Sequence, residues 1–121
     1  MYLVCKVVIN TAPEIQTKTV EARGIKFSII EDQQEVARAY LYIMHNELHQ
    51  EPFGLLEDVY VNESYRGSGW GTKLVQQVIT VAQEQNCYKL IANSRKSRPR
   101  VHQLYEKLGF ESRGFEFRID L

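Results

Sequence analysis

Cysteine is scarce in this chain. There are two, Cys5 and Cys87, far apart and forming no Cys-x-x-Cys pair. That excludes a disulfide scaffold and a thiolate metal site. Both lie in apolar, strand-like surroundings and read as buried free thiols. A charge excess is also missing, since 15 Lys and Arg balance 15 Asp and Glu. Without it there is no global attraction to nucleic acid or to an anionic membrane, and neither is expected as a partner. No apolar run approaches the roughly 20 residues that cross a bilayer. Residues 1–9 have no basic stretch before their apolar run and no small-residue cleavage site. They are not read as a signal peptide, and the cytoplasm is the expected compartment. His45 and His49 are four apart with no third ligand evident, so no metal is expected. Neither the G-x-x-x-x-G-K-[ST] phosphate loop nor the dinucleotide G-x-G-x-x-G is present.

What is there suits one globular domain over residues 1–121: 44% hydrophobic and 25% charged residues fill one core and leave no room for a second. Residues 2–9 are rich in Val and Ile and read as a strand, broken by Thr11-Ala12-Pro13. Residues 14–23 are ambiguous between strand and helix. Gly24 reads as a turn, residues 25–30 as a strand, and residues 31–35 as a hairpin loop. In residues 36–44, Ala37, Ala39, Leu41 and Ile43 share one strand face, with Tyr40 and Tyr42 on the other. A polar loop follows, then a strand over residues 53–61. Residues 70–85 give the clearest helix, with Leu74, Val78 and Ala82 on one stripe and Asn86 as its stop. Residues 87–92 read as a short strand, and Pro99 opens a second helix that Gly109 ends. Residues 110–121 alternate through Phe115, Phe117 and Ile119 and read as one or two closing strands. This order predicts a mixed α/β sheet with helices packed on it and parallel pairing around residues 62–69.

Those residues carry the chemistry. An apolar strand bearing Glu57 and Asp58 runs through a polar turn into Arg66-Gly67-Ser68-Gly69-Trp70-Gly71 and leaves as the helix. A helix N-terminus offers free N–H donors, and its dipole favours an anion. Glycines let a phosphate approach with no Cβ in the way. Taken alone, the same triplet serves as a tight turn. A second element, Leu104-Tyr105-Glu106-Lys107-Leu108-Gly109-Phe110, is an amphipathic helix end in which Tyr105 would also serve as packing.

Together the two elements resemble the GNAT superfamily of acetyl-coenzyme A dependent N-acetyltransferases. Its R/Q-x-x-G-x-G/A motif falls complete on Arg66 to Gly71, and its L-Y-x-x-x-G-F motif on Leu104, Tyr105, Gly109 and Phe110. Val61 and Tyr65 are typical as well. A shorter echo, Glu57-Asp58-Val59 and Cys87-Tyr88-Lys89, is similar to the glucosamine-6-phosphate N-acetyltransferase branch.

The resemblance implies a mostly antiparallel mixed sheet with a splayed parallel strand pair. It implies acetyl-CoA as cosubstrate, its phosphates on the amides of Gly67, Ser68, Gly69, Trp70, Gly71 and Thr72, with Arg66 adding charge. The pantetheine arm would lie along Val59, Tyr60 and Val61, opposite Asn93. Ser97 falls where relatives often hold an Asn that touches the cofactor. Tyr105 would protonate the leaving thiolate, since a phenol titrates near 10 and stays protonated at neutral pH. The base would be Glu57 or Asp58. Adjacent strand residues face opposite ways unless a bulge intervenes, and Glu57 is preferred.

Arg95, Lys96, Arg98 and Arg100 form the one basic cluster, suited to a phosphate or to a solvated loop. Two features depart from the family pattern. Ala92-Asn93 stand where many relatives carry an acid. Residues 10–25 are too few for the two helices that usually line the acceptor pocket, so the N-terminal helical region is shortened and the acceptor side is either open or completed by a second subunit. The implied reaction is acetyl transfer to a primary amine of a small molecule, an amino sugar or its phosphate, by direct attack in a ternary complex. A protein or peptide amine is the rival acceptor. A non-catalytic acyl-CoA-binding domain is the reading from another class. Exposed closing strands would suit a homodimer.

Overall fold

Asp32 and Gln33, at φ +49° and +65°, make the tight two-residue turn around which the sheet begins. Positive φ at both central positions matches the right-handed twist of the flanking strands. In the computed structural model, which describes residues 12–94 and 98–121, this turn joins β1 (Ala22–Glu31) to β2 (Gln34–Met44). β3 (Phe53–Val61) pairs antiparallel with β2, and β4 (Leu90–Ala92) pairs parallel with β3. Among the described residues the sheet order follows the chain, β1-β2-β3-β4, with β1 and β4 outermost. Two helices follow β3 and β4: α1 (Trp70–Glu84) crosses from β3 to β4, and α2 (Pro99–Lys107) comes after β4. This is the expected mixed sheet, mostly antiparallel, with one parallel pair.

The core lies between one sheet face and α1. Ala37, Ala39, Leu41 and Ile43, the four residues expected on one face of β2, are buried there with Leu56, Leu74, Val75, Val78 and Ala82. The period of two along β2 and of about four along α1 makes this packing possible. α1 ends as expected, with Asn86 left-handed at φ +62°.

Four expectations are corrected. Gly24 is a strand residue and makes no turn: it pairs with Tyr42, whose ring would sit 2.9 Å from a Cβ at that position. The hairpin loop is two residues long, not five. The fourth strand starts at Leu90 and not at Cys87, because the Cys87 N–H donates to Ala82 O at the end of α1 and the Tyr88 N–H to Pro52 O. Residues 110–121 form no strand with the described residues, and Phe115, Phe117, Ile119 and Leu121 are exposed. Residues 12–21 are exposed and hold no helix, in line with the shortened N-terminal helical region. The strand expected over residues 2–9, Cys5, and the loop residues Arg95, Lys96 and Ser97 lie outside the described residues.

Candidate active site

The loop between β3 and α1 is built from its own backbone. Asn62 accepts from the Ser64 N–H and opens a short 3-10 turn, Glu63–Tyr65. The Ser68 hydroxyl donates to Tyr65 O at 2.7 Å, tying the loop back on itself. Gly67 and Gly69 take φ of +87° and +86°. A side chain at either would be strained, although a Cβ there would meet no atom within 4 Å. The glycines therefore serve backbone shape and leave open space above them. Gly69 is the N-cap of α1, and no side chain caps the helix. The first turn of α1 lines an open cavity of ≈ 320 Å³, together with Val61, Tyr65, Arg66, Gly67 and Gly69. Tyr65 and Trp70 stack at 5.1 Å beside it. Arg66 lines the same space, but its Nε donates to Val61 O at 2.8 Å and its guanidinium lies 5.5 Å from the Tyr60 ring. Uncapped amides, a positive helix end and an arginine are the groups that suit an anion.

Below the loop the parallel strands part. β3 and β4 pair only from Gly54 to Leu56 and from Leu90 to Ala92. β3 continues to Val61 while β4 has ended, so the side of Val59, Tyr60 and Val61 that β4 would cover has no β4 partner. Asn93 and Ser94 stand where the strands separate. Ser94 was not singled out in the sequence. Its Oγ is buried with no hydrogen-bond partner among the described residues, which is unusual for a buried hydroxyl. An unpaired strand edge and an orphaned hydroxyl fit an amide-rich chain running between the strands.

β3 is bulged at the parting. Arg38 pairs with Tyr60 and Tyr40 with Glu57, so two steps on β2 match three on β3. Asp58 takes the extra residue, at φ +50°. Its carboxylate reaches Arg38, which shares a strand face with Tyr40, the partner of Glu57. The bulge thus brings the two adjacent acids to one face, where a regular strand would have opposed them. Arg38 holds the Asp58 carboxyl below its ordinary range.

Tyr105 comes from α2. It is 9% exposed and packs against Phe110 at 5.2 Å. Burial, and then the Glu57 carboxylate, push its phenol above the ordinary tyrosine value. It therefore stays protonated and able to donate. Glu57 and Tyr105, apart in sequence by 48 positions, are electrostatic neighbours in the fold. His49 lies against Tyr88, with ring centroids 4.0 Å apart and the rings tilted by 31°. Arg98 and Arg100 are exposed at the start of α2.

Comparison with known proteins agrees with this geometry. The model of the acetyltransferase (GNAT) family matches residues 9–110. The chain is 42% identical over 69 residues to glucosamine 6-phosphate N-acetyltransferase of Trypanosoma brucei brucei, covering 56% of this chain and 44% of that protein. It is 33% identical over 76 residues to aminoglycoside N(6')-acetyltransferase type 1 of Serratia marcescens, covering 63% of this chain and 51% of that one. The chain thus spans about half or less of these curated relatives. Among solved structures, an acetyltransferase of Trypanosoma brucei superposes with a TM-score of 0.74 at 30% identity, over 81% of this chain and 69% of that one.

Proposed function

Since the chain belongs to the acetyltransferase (GNAT) family, we propose that it is a single-domain, acetyl-CoA-dependent N-acetyltransferase acting on a primary amine of a small molecule. An amino sugar or its phosphate is the proposed acceptor. The relatives named for glucosamine 6-phosphate and for aminoglycosides support that class. The observation that carries the reading is the junction where β3 and β4 part, with an uncapped helix N-terminus at one end and the Glu57–Tyr105 neighbourhood at the other.

The amides of Gly67 to Thr72 hold the phosphates of acetyl-CoA, and the backbone of Val59 to Val61, with Asn93 and Ser94, holds its arm. The thioester supplies an activated acetyl carbonyl. Glu57 takes a proton from the acceptor ammonium, directly or through water, so that a neutral amine attacks. A backbone N–H freed by the bulge in β3 stabilises charge on the carbonyl oxygen. Tyr105 gives its proton to the departing sulfur, and the second proton that the nitrogen sheds as the amide forms returns to the phenolate through water. Both substrates are present together and the acetyl group passes directly to the amine. Two features support a homodimer: β4 is an outermost strand of the sheet among the described residues, and Phe117 and Ile119 of the alternating tail are exposed. Cytoplasmic residence is part of the proposal.

The exposed stretch at residues 12–21 leaves the acceptor side open, which favours a peptide amine as the second reading. Thiol release from acetyl-CoA with a panel of amino sugars, their phosphates, aminoglycosides and lysine peptides decides between them. Fastest release with a sugar amine supports the proposal, and fastest release with peptides supports the second reading. Tight binding of acetyl-CoA with no release from any amine would make the chain a non-catalytic acyl-CoA binder.

A further inference from the structure

Asp58 is left-handed in the middle of a strand, at φ +50°. Aspartate tolerates that region better than most residues, but a single strand residue does not hold it unaided. The hold comes from the neighbouring strand. Arg38 Nε donates to Asp58 Oδ2 at 2.8 Å and Nη2 donates to Oδ1 at 3.3 Å, a two-point fork. The same guanidinium lies 4.8 Å from the centroid of the Tyr60 ring. Arg66, on that ring at 5.5 Å, bonds to Val61 O. A continuous set of contacts thus runs from the bulge to the glycine loop.

The geometry matters for Glu57. The register resumes at Glu57–Tyr40 only because Asp58 absorbs one residue. If residue 58 relaxed to an extended conformation, Glu57 and Tyr60, three apart, would point to opposite faces of the sheet.

We propose that Arg38 is a positioning residue: its fork on Asp58 fixes the bulge in β3, and the bulge keeps Glu57 on the same face of the sheet as Tyr60 and Arg38. Asp58 is then a strut in this device and carries no proton in the reaction. The kinetic part of this proposal rests on the acetyl-transfer reading, and the conformational part does not.

The test is a cycle of R38M, D58G and the double variant, assayed with acetyl-CoA and the fastest amine of the panel. Backbone chemical shifts of residues 57–59 are read in parallel, since they report whether residue 58 is left-handed. R38M lowers kcat about tenfold in the wild-type background and changes the KM for acetyl-CoA by less than about twofold. The shifts of residue 58 move toward extended values. R38K, a single ammonium that cannot form the fork, falls between. In the D58G background R38M has no effect on either readout, because glycine takes a positive φ without support. An equal loss of kcat in both backgrounds would mean that Arg38 touches the acceptor itself, and would overturn the proposal. So would a lower thermal midpoint with kcat unchanged. If the wild-type protein releases no thiol, the acetyl-transfer reading fails and the shifts alone decide. Unchanged shifts at residue 58 in R38M then overturn the clamp.

Discussion

Tyr105 and Ser94 are the two side chains whose surroundings say most about the reaction. Tyr105 is buried, and burial and Glu57 both favour its neutral form. Replacing it with Phe keeps the ring and its packing on Phe110 while removing the proton. Tyr105→Phe should therefore lower kcat about 100-fold, with acetyl-CoA affinity by calorimetric titration unchanged. The pH profile follows from the same shift. The donor is lost as pH rises through a pKa above the ordinary 10.0, so the alkaline limb of kcat lies above that value and disappears in the Phe variant. Ser94 gives a prediction of opposite signs. Its Oγ is buried and has no hydrogen-bond partner among the described residues. Ser94→Ala should leave the free protein as stable or more stable in urea titrations, because an unsatisfied polar group is removed. It should weaken acetyl-CoA binding several-fold if the ligand supplies the missing partner. The two residues differ in how they could be read. Tyr105 sits in a local motif, visible within seven positions. Ser94 and Arg38 become notable only when the fold buries one hydroxyl and sets the other residue beside a bulge.

The glycine loop and α1 act as one element. Gly69 is both the helix cap and a left-handed residue at φ +86°, and a side chain there would project into the cavity. Gly69→Val should cost about 1–2 kcal/mol of stability from backbone strain. It should also reduce acetyl-CoA affinity by more than tenfold, beyond what strain alone explains, because the methyls stand where phosphates would lie. Chemical denaturation and calorimetry separate the two effects. At this scale the sequence was easiest to read where periodicity was strong. The helix after Gly69, the strand Phe53–Val61 and the buried face of β2 all stand as expected. It misled where a single residue type had two uses. Gly24 reads as a turn but makes room for the Tyr42 ring across the strands, and Cys87 looks like the first residue of a strand although its N–H is taken by the end of α1.

At the scale of the whole molecule, alternation with no partner strand among the described residues accounts for the remaining miss. Residues 110–121 have the pattern of a strand, but pattern sets which face is apolar and not what the strand pairs with. If a second copy covers the tail, light scattering on the full chain should give twice its 14.1 kDa mass. Truncation after Gly114 should give a monomer, and a monomeric full chain would sink the homodimer. The parallel pairing of β3 with β4 has a further consequence. β1 pairs with β2 along nearly its whole length, whereas β4 is stitched to β3 along three residues. β4 is also joined to the sheet through α1, a long detour of the chain. The site is thus set in the seam of the sheet that opens most readily. Thermal fluctuations that separate β4 from β3 would widen the slot for entry, and a bound chain bridging the strands would sew it shut. A catalyst built this way has its entrance and its weakest join in the same place.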